Sequence, residues 1–161
     1  MSAKALPKTN AMRILTAAKI SFEVLTYEVD ESDLSGTHIA AQVGLPMEMV
    51  FKTLVAKGDK TGYIVFCIPV DKEIDLKQAA VETGNKRVEM IHVKELLPLT
   101  GYIRGGCSPI GMKKKFPTFF HISAARLDKI TVSAGVRGAQ LLMEREVLVP
   151  FVDGTYVDVA R

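Results

Sequence analysis

The residue with the most chemical content in this sequence is a lysine inside a strand-like run. A two-residue period over Phe51 to Ala56 puts Lys52 on the face of Leu54 and Ala56, with Phe51, Thr53 and Val55 on the other. An ammonium on so apolar a face has two readings. It runs its aliphatic stem along the surface and keeps its charge in water, or it stands at the mouth of a pocket and binds a carbonyl, hydroxyl or phosphate oxygen. Periodicity leaves both open.

Two glycine-rich segments offer complementary chemistry. Gly101 to Gly111 holds four glycines and a proline in eleven residues, which makes neither a helix nor an ordinary strand but a loop whose amides no side chain screens. Such amides bind oxyanions. From Gly106 to Lys113 the loop approaches a Walker loop, but Met112 stands in the place of its lysine and a lysine, not Ser or Thr, follows it, so an NTPase is not expected. Cys107 is either a nucleophile with His121 as its base or a small residue packed under the loop. Lys113, Lys114 and Lys115 either contact phosphates or form a solvated basic loop. The second segment, Ser133 to Gly138, combines two glycines with a hydroxyl and the Arg137 guanidinium after a strand; it either lines the same cleft or, as its spacing alone says, is just a turn.

Other chemistries find little support. His38, His92 and His121 are dispersed and form no HExxH or His-Cys cluster, so no metal is expected. No GxSxG elbow occurs. Cys67 and Cys107 lie far apart, with neither a disulfide framework nor a zinc knuckle, which fits a reducing cytoplasm. At 161 residues, 48% hydrophobic and 24% charged, the chain is expected to form one domain spanning 1–161. A net charge of +3 does not by itself imply a nucleic-acid partner. Met1 to Thr9 carries two lysines with no apolar stretch behind them. The longest apolar run, Tyr63 to Val70, is too short to cross a membrane, so neither export nor a membrane partner is expected.

The elements that must hold these residues can be read from capping and periodicity. A first helix capped by Thr9 or Asn10 carries Met12, Ile14, Leu15 and Ala18 and ends by Ile20. Phe22 to Val29 reads as a bulged or twisted strand. Thr37 is placed to cap a short helix closed by Gly44, and Pro46 to open another. Phe51 to Ala56 and Gly62 to Pro69 form a hairpin, the second strand central because both its faces are apolar. Asp75 and Gln78 resemble a capping box before a helix that Gly84 stops. Arg87 to Ile91 is a short strand, and His92 to Leu97 is helical until Pro98. Thr118 to Ile122, Ile130 to Ser133 and Gln140 to Met143 follow as strands, then a weakly helical stretch and a last strand around Tyr156 to Val159. Without regular strand–helix alternation the class is α+β.

Three motifs in order, Val50-Phe51-Lys52-Thr53-Leu54, Thr100 through Lys114, and Val132 through Gly138, resemble the YbaK/EbsC family. The likeness extends from Tyr27-Glu28-Val29-Asp30 to Val157-Asp158-Val159-Ala160-Arg161. That family is related to the editing domain of prolyl-tRNA synthetase, and its members are free-standing deacylases that remove wrong amino acids from tRNA. YbaK-like members act on Cys-tRNA(Pro). The resemblance implies a mixed, strongly curved, partly barrel-like sheet surrounded by helices, with no metal, no cofactor and no covalent enzyme intermediate. It makes Lys52, Gly105, Ser133 and Tyr27 the catalytic set. Thr53, Gly106, Ser108, Arg137 and Gln140 are implied around the substrate, and Lys113, Lys114 and Lys115 on tRNA phosphates. Gln140 departs from the family, which commonly has Asp there, and so loses a charge. The implied partners are the aminoacylated acceptor end of tRNA and prolyl-tRNA synthetase. Alternatives are deacylation of Ala-tRNA(Pro) or a broader set by water, and a non-catalytic module that binds a nucleotide or tRNA end.

Overall fold

The hairpin carrying Lys52 forms because its two strands match in length and each presents apolar residues to both layers. The computed structural model describes residues 8–30, 32, 33 and 35–161, and the part of the Met1 to Thr9 reading before Lys8 lies outside them. In chain order the elements are α1 (Asn10–Ala17), β1 (Glu23–Thr26), α2 (Gly36–Val43), β2 (Phe51–Gly58), β3 (Gly62–Pro69), α3 (Leu76–Thr83), β4 (Val88–Met90), α4 (Val93–Thr100), β5 (Thr118–His121), β6 (Lys129–Ser133), β7 (Ala139–Glu144), α5 (Arg145–Phe151) and β8 (Thr155–Val157). The class is α+β.

The strands make two sheets. One is antiparallel in the order β1-β7-β6, the other mixed in the order β4-β2-β3-β5-β8, and a parallel bridge between Val50 and Thr131 joins them. As the two-faced apolar pattern requires, β3 lies inside its sheet. Val65 and Cys67 enter the main core, which also takes Ile130, Val132 and Leu141 of the smaller sheet and Ala11, Met12 and Leu15 of α1. Ile64, Phe66 and Ile68 point the other way, into a second core closed by Ala79 and Ala80 of α3. A third cluster joins Ala40 of α2 to Val50 and Val70.

Several boundaries differ from the sequence reading for local reasons. The strand expected over Phe22 to Val29 is only Glu23–Thr26, because its partner β7 begins at Ala139 and Tyr27 adds one last bond, from its N–H to the Gly138 carbonyl at 2.9 Å. Ser35, not Thr37, caps α2: the helix starts at Gly36, and the Ser35 hydroxyl accepts the His38 N–H three residues on. Asp75 accepts the Gln78 N–H, but its own amide donates to the Val159 carbonyl, so only half of the capping box forms. Helix α4 continues past Pro98 to Gly101, whose φ of +85° ends it; the proline forgoes one hydrogen bond without stopping so short a helix. Thr9 caps α1 and Gly44 and Gly84 close α2 and α3 as expected.

Candidate functional site

Alternation along the smaller sheet sorts its residues between core and cleft. Ile130, Val132, Ala139 and Leu141 face the main core, which leaves Thr131, Ser133 and Gln140 on the opposite face, with Ser133 and Gln140 directly paired across β6 and β7. Leu25 pairs with Gln140 from the other side, and Tyr27 lies two residues beyond it. From the Val50–Thr131 bridge β2 and β6 run in the same direction, so Lys52 and Ser133 follow at the same offset on the same face. Lys52 is half-buried there. Four residues expected to act together, Tyr27, Lys52, Ser133 and Gln140, thus share one side of the junction between the sheets.

The two glycine segments meet beside them. Arg137 Nε donates to the Arg104 carbonyl at 2.8 Å, and the Arg137 stem crosses Gly105 so closely that a Cβ on that glycine would stand 3.2 Å from Nε. A Cβ on Gly106 would stand 3.1 Å from the backbone of Val136 and Arg137. Both glycines are therefore needed for the approach, and Gly105, at φ +86°, also for its backbone conformation. Tyr102 locks the same junction: its buried hydroxyl donates to the Ile110 carbonyl, its ring fills the space over Gly135, and burial pushes its phenol up to about 12. Tyr27, Asp33, His38, Gly105 and Arg137 line one cleft. His38 sits in it between the Asp33 carboxylate at 3.8 Å and the Gln42 amide at 3.1 Å. Hydrogen bonds from Ser35, with smaller help from His38, hold the Asp33 carboxyl below the usual range.

Polar partners separate side chains that serve the scaffold from those left for a substrate. The buried Gln140 carboxamide accepts the Thr131 hydroxyl at 3.1 Å, and the Ser133 hydroxyl accepts the Gly135 N–H at 3.1 Å, which leaves its own proton to donate. The Gly106 N–H is taken by the Ile103 carbonyl at 2.9 Å. Other expected site residues lie elsewhere. Ser108 is fully buried and accepts the Ile110 N–H, a loop contact. Thr53 faces the opposite side of β2 from Lys52, its hydroxyl 3.7 Å from Cys67 Sγ. Lys113 folds over Gly101, while Lys114 and Lys115 border a separate groove beside Phe116 and Phe151, Lys115 paired with Asp153. The chain turns away between Gly106 and Gly111 because Cys107 to Ile110 are buried.

Cys107 is not paired with His121. The thiol lies in the main core, where burial pushes it up to about 12, and His121 Nδ1 accepts the Val159 N–H at 3.3 Å. Among the described residues no group of three His, Cys, Asp or Glu side chains is placed to hold a metal, and no helix is long and apolar enough to cross a membrane. Sequence reasoning passed over Tyr102 and Asp33 and weighed His38 only as a metal ligand. Tyr102 lay inside the glycine segment but carried no spacing signal of its own.

Residues 35–151, which contain Lys52 and both glycine segments, match the model of the aminoacyl-tRNA editing domain. The chain belongs to the aminoacyl-tRNA editing family. Among editing-family relatives, a protein of Enterococcus faecalis named as a candidate Cys-tRNA(Pro)/Cys-tRNA(Cys) deacylase, EbsC, is 44% identical over 156 residues, covering 97% of this chain and 95% of its own. The crystal structure of a candidate trans-editing enzyme for prolyl-tRNA synthetase superposes with a TM-score of 0.78 over 94% of this chain and 96% of that one, at 20% identity. A hypothetical protein of known structure reaches a TM-score of 0.83 over 92% and 97% of the two chains at 21% identity. The expected editing-domain fold is the fold observed.

Proposed function

We propose that this chain is a free-standing editing hydrolase that removes cysteine from mischarged Cys-tRNA(Pro). One observation carries the reading: an ammonium, a hydroxyl and a glycine turn lie on one side of the sheet junction, while the cysteine once considered as a nucleophile is buried and protonated. The fold and the relatives' names support the same class of reaction.

The scissile bond is the ester between the amino acid and the terminal ribose of tRNA, and its breakdown builds negative charge on the carbonyl oxygen. Lys52 supplies a fixed positive charge for that oxygen and Gly105 an amide; the Gly106 amide, already bonded to Ile103, does not contribute. The attacking atom is the cysteine thiol of the substrate. Its sulfur bonds to the carbonyl carbon, the carbon–oxygen ester bond breaks, the thiol proton passes to the ribose oxygen, and water opens the released β-thiolactone to cysteine. Ser133 and Tyr27 hold the aminoacyl-adenosine. A synthetase pocket rejects a slightly different small side chain by only about 1–3 kcal/mol, so cysteine enters a proline site and a later check is useful. With a net charge of only +3, the protein grips the acceptor end loosely and relies on prolyl-tRNA synthetase for capture.

The test is release of cysteine from Cys-tRNA(Pro) by purified protein, run beside Ala-tRNA(Pro) and S-methyl-Cys-tRNA(Pro). Release from the first alone is expected, with loss of activity in Lys52→Ala. Equal release from Ala-tRNA(Pro) would replace the thiol with water, and full activity of Lys52→Ala would remove the lysine from the reaction.

A further inference from the structure

We propose that Arg137 is a positioning residue that fixes the direction of the Gly105 amide. The inference rests on the deacylase reading for its catalytic consequence but not for its geometry. Ile103 to Gly106 form a β-turn, closed by the Gly106 N–H on the Ile103 carbonyl at 2.9 Å. Gly105 occupies its third position with φ +86°, the signature of a type II turn. Types I and II differ by a flip of the central peptide, here the one joining Arg104 to Gly105. Glycine adopts either sign of φ at little cost, so Gly105 permits both turns and selects neither.

The selecting contact comes from the other glycine segment. Arg137 Nε holds the Arg104 carbonyl at 2.8 Å, and that carbonyl belongs to the peptide that would flip. In a trans peptide the C=O and N–H point in opposite directions. Pinning the Arg104 oxygen toward Arg137 therefore pins the Gly105 N–H to the other side of the turn. The neighbouring amide is spent within the turn, so Gly105 is the donor whose aim matters. The Arg137 backbone is itself held close to the turn, because Gly106 leaves no side chain between the turn and the Val136–Arg137 backbone. One side chain thereby sets the orientation of a donor on a loop with no regular secondary structure.

The experiment compares the wild type with Arg137→Lys and Arg137→Ala, by deacylation kinetics on Cys-tRNA(Pro) over a range of salt and by amide NMR of the free protein. A lysine keeps the charge but lacks the Nε–H that meets Arg104. Both variants are expected to lose roughly 10- to 100-fold in kcat with KM within about twofold, since a misaimed donor costs rate rather than binding. The Gly105 amide resonance is expected to shift and broaden while those of β6 and β7 stay in place. A rise in KM with a shallower salt dependence, restored by lysine, would make Arg137 a phosphate contact and overturn the proposal. So would an unmoved Gly105 resonance, or a moved one with unchanged kcat. If the wild type releases no amino acid from any charged tRNA, the deacylase reading fails, and the resonance alone decides whether Arg137 sets the peptide.

Discussion

Lys52 and Gln140 show how differently two polar residues on one sheet face are used. Lys52 is half-buried, which fits a charge reserved for something outside the fold. Gln140 is buried with its carboxamide oxygen committed to Thr131. Gln140→Ala leaves that hydroxyl without its acceptor, and we expect it to cost about 1–3 kcal/mol of stability, read from urea denaturation. A variant as stable as the wild type would show the bond to be dispensable. Cys107→Ser is expected to keep its kcat, because a thiol pushed up to about 12 by burial is not the nucleophile. Loss of activity in a folded Cys107→Ser protein would reopen that role.

Between elements, short polar ties hold the strands that carry the site. Asn85, after α3, accepts the Lys60 and Thr61 amides through its side-chain oxygen and donates to the Thr61 and Thr83 hydroxyls, which fixes the β2–β3 turn. A Cβ on Gly58 would stand 2.3 Å from the Asn85 amide nitrogen, so the approach needs both residues. We expect Asn85→Ala to lower stability by about 1–3 kcal/mol and to raise hydrogen exchange first at the β2–β3 turn. Unchanged protection there would rule out the tie. The sequence reading placed the hairpin correctly because its signal is local, two apolar runs around a polar glycine loop. It overlooked Asn85, whose partners at Lys60 and Thr61 are brought to it only when α3 and β4 pack beside the hairpin.

For the molecule as a whole, burial of His121 ties stability to pH. Burial outweighs the opposing pull of Asp158 and, with lesser help from Lys72 and Arg126, holds its imidazole below the ordinary value of 6.5. Below that value the unfolded chain takes up a proton that the folded protein resists, so stability is complete above about pH 6.5 and falls as the pH drops toward the lowered value. His121→Asn keeps an acceptor for the Val159 N–H and is expected to flatten the decline that sets in below about pH 6.5, followed by the urea midpoint. An identical decline in the variant would assign it to other groups. Much of the architecture was legible beforehand: the α+β class, the central place of β3, the caps at Thr9 and Asp75, and the glycine stops at Gly44 and Gly84. These follow from period, capping and backbone conformation, all set within a few residues of chain. Lys52, the two glycine segments and Ser133 were also legible as a family pattern. Their assembly was not, because it depends on contacts between residues far apart in the chain. The Val50–Thr131 bridge aligns Lys52 with Ser133, the packing of Gly106 on Val136 and Arg137 joins the two loops, and burial of Cys107 to Ile110 draws Ser108 inward and carries Lys114 and Lys115 to another groove.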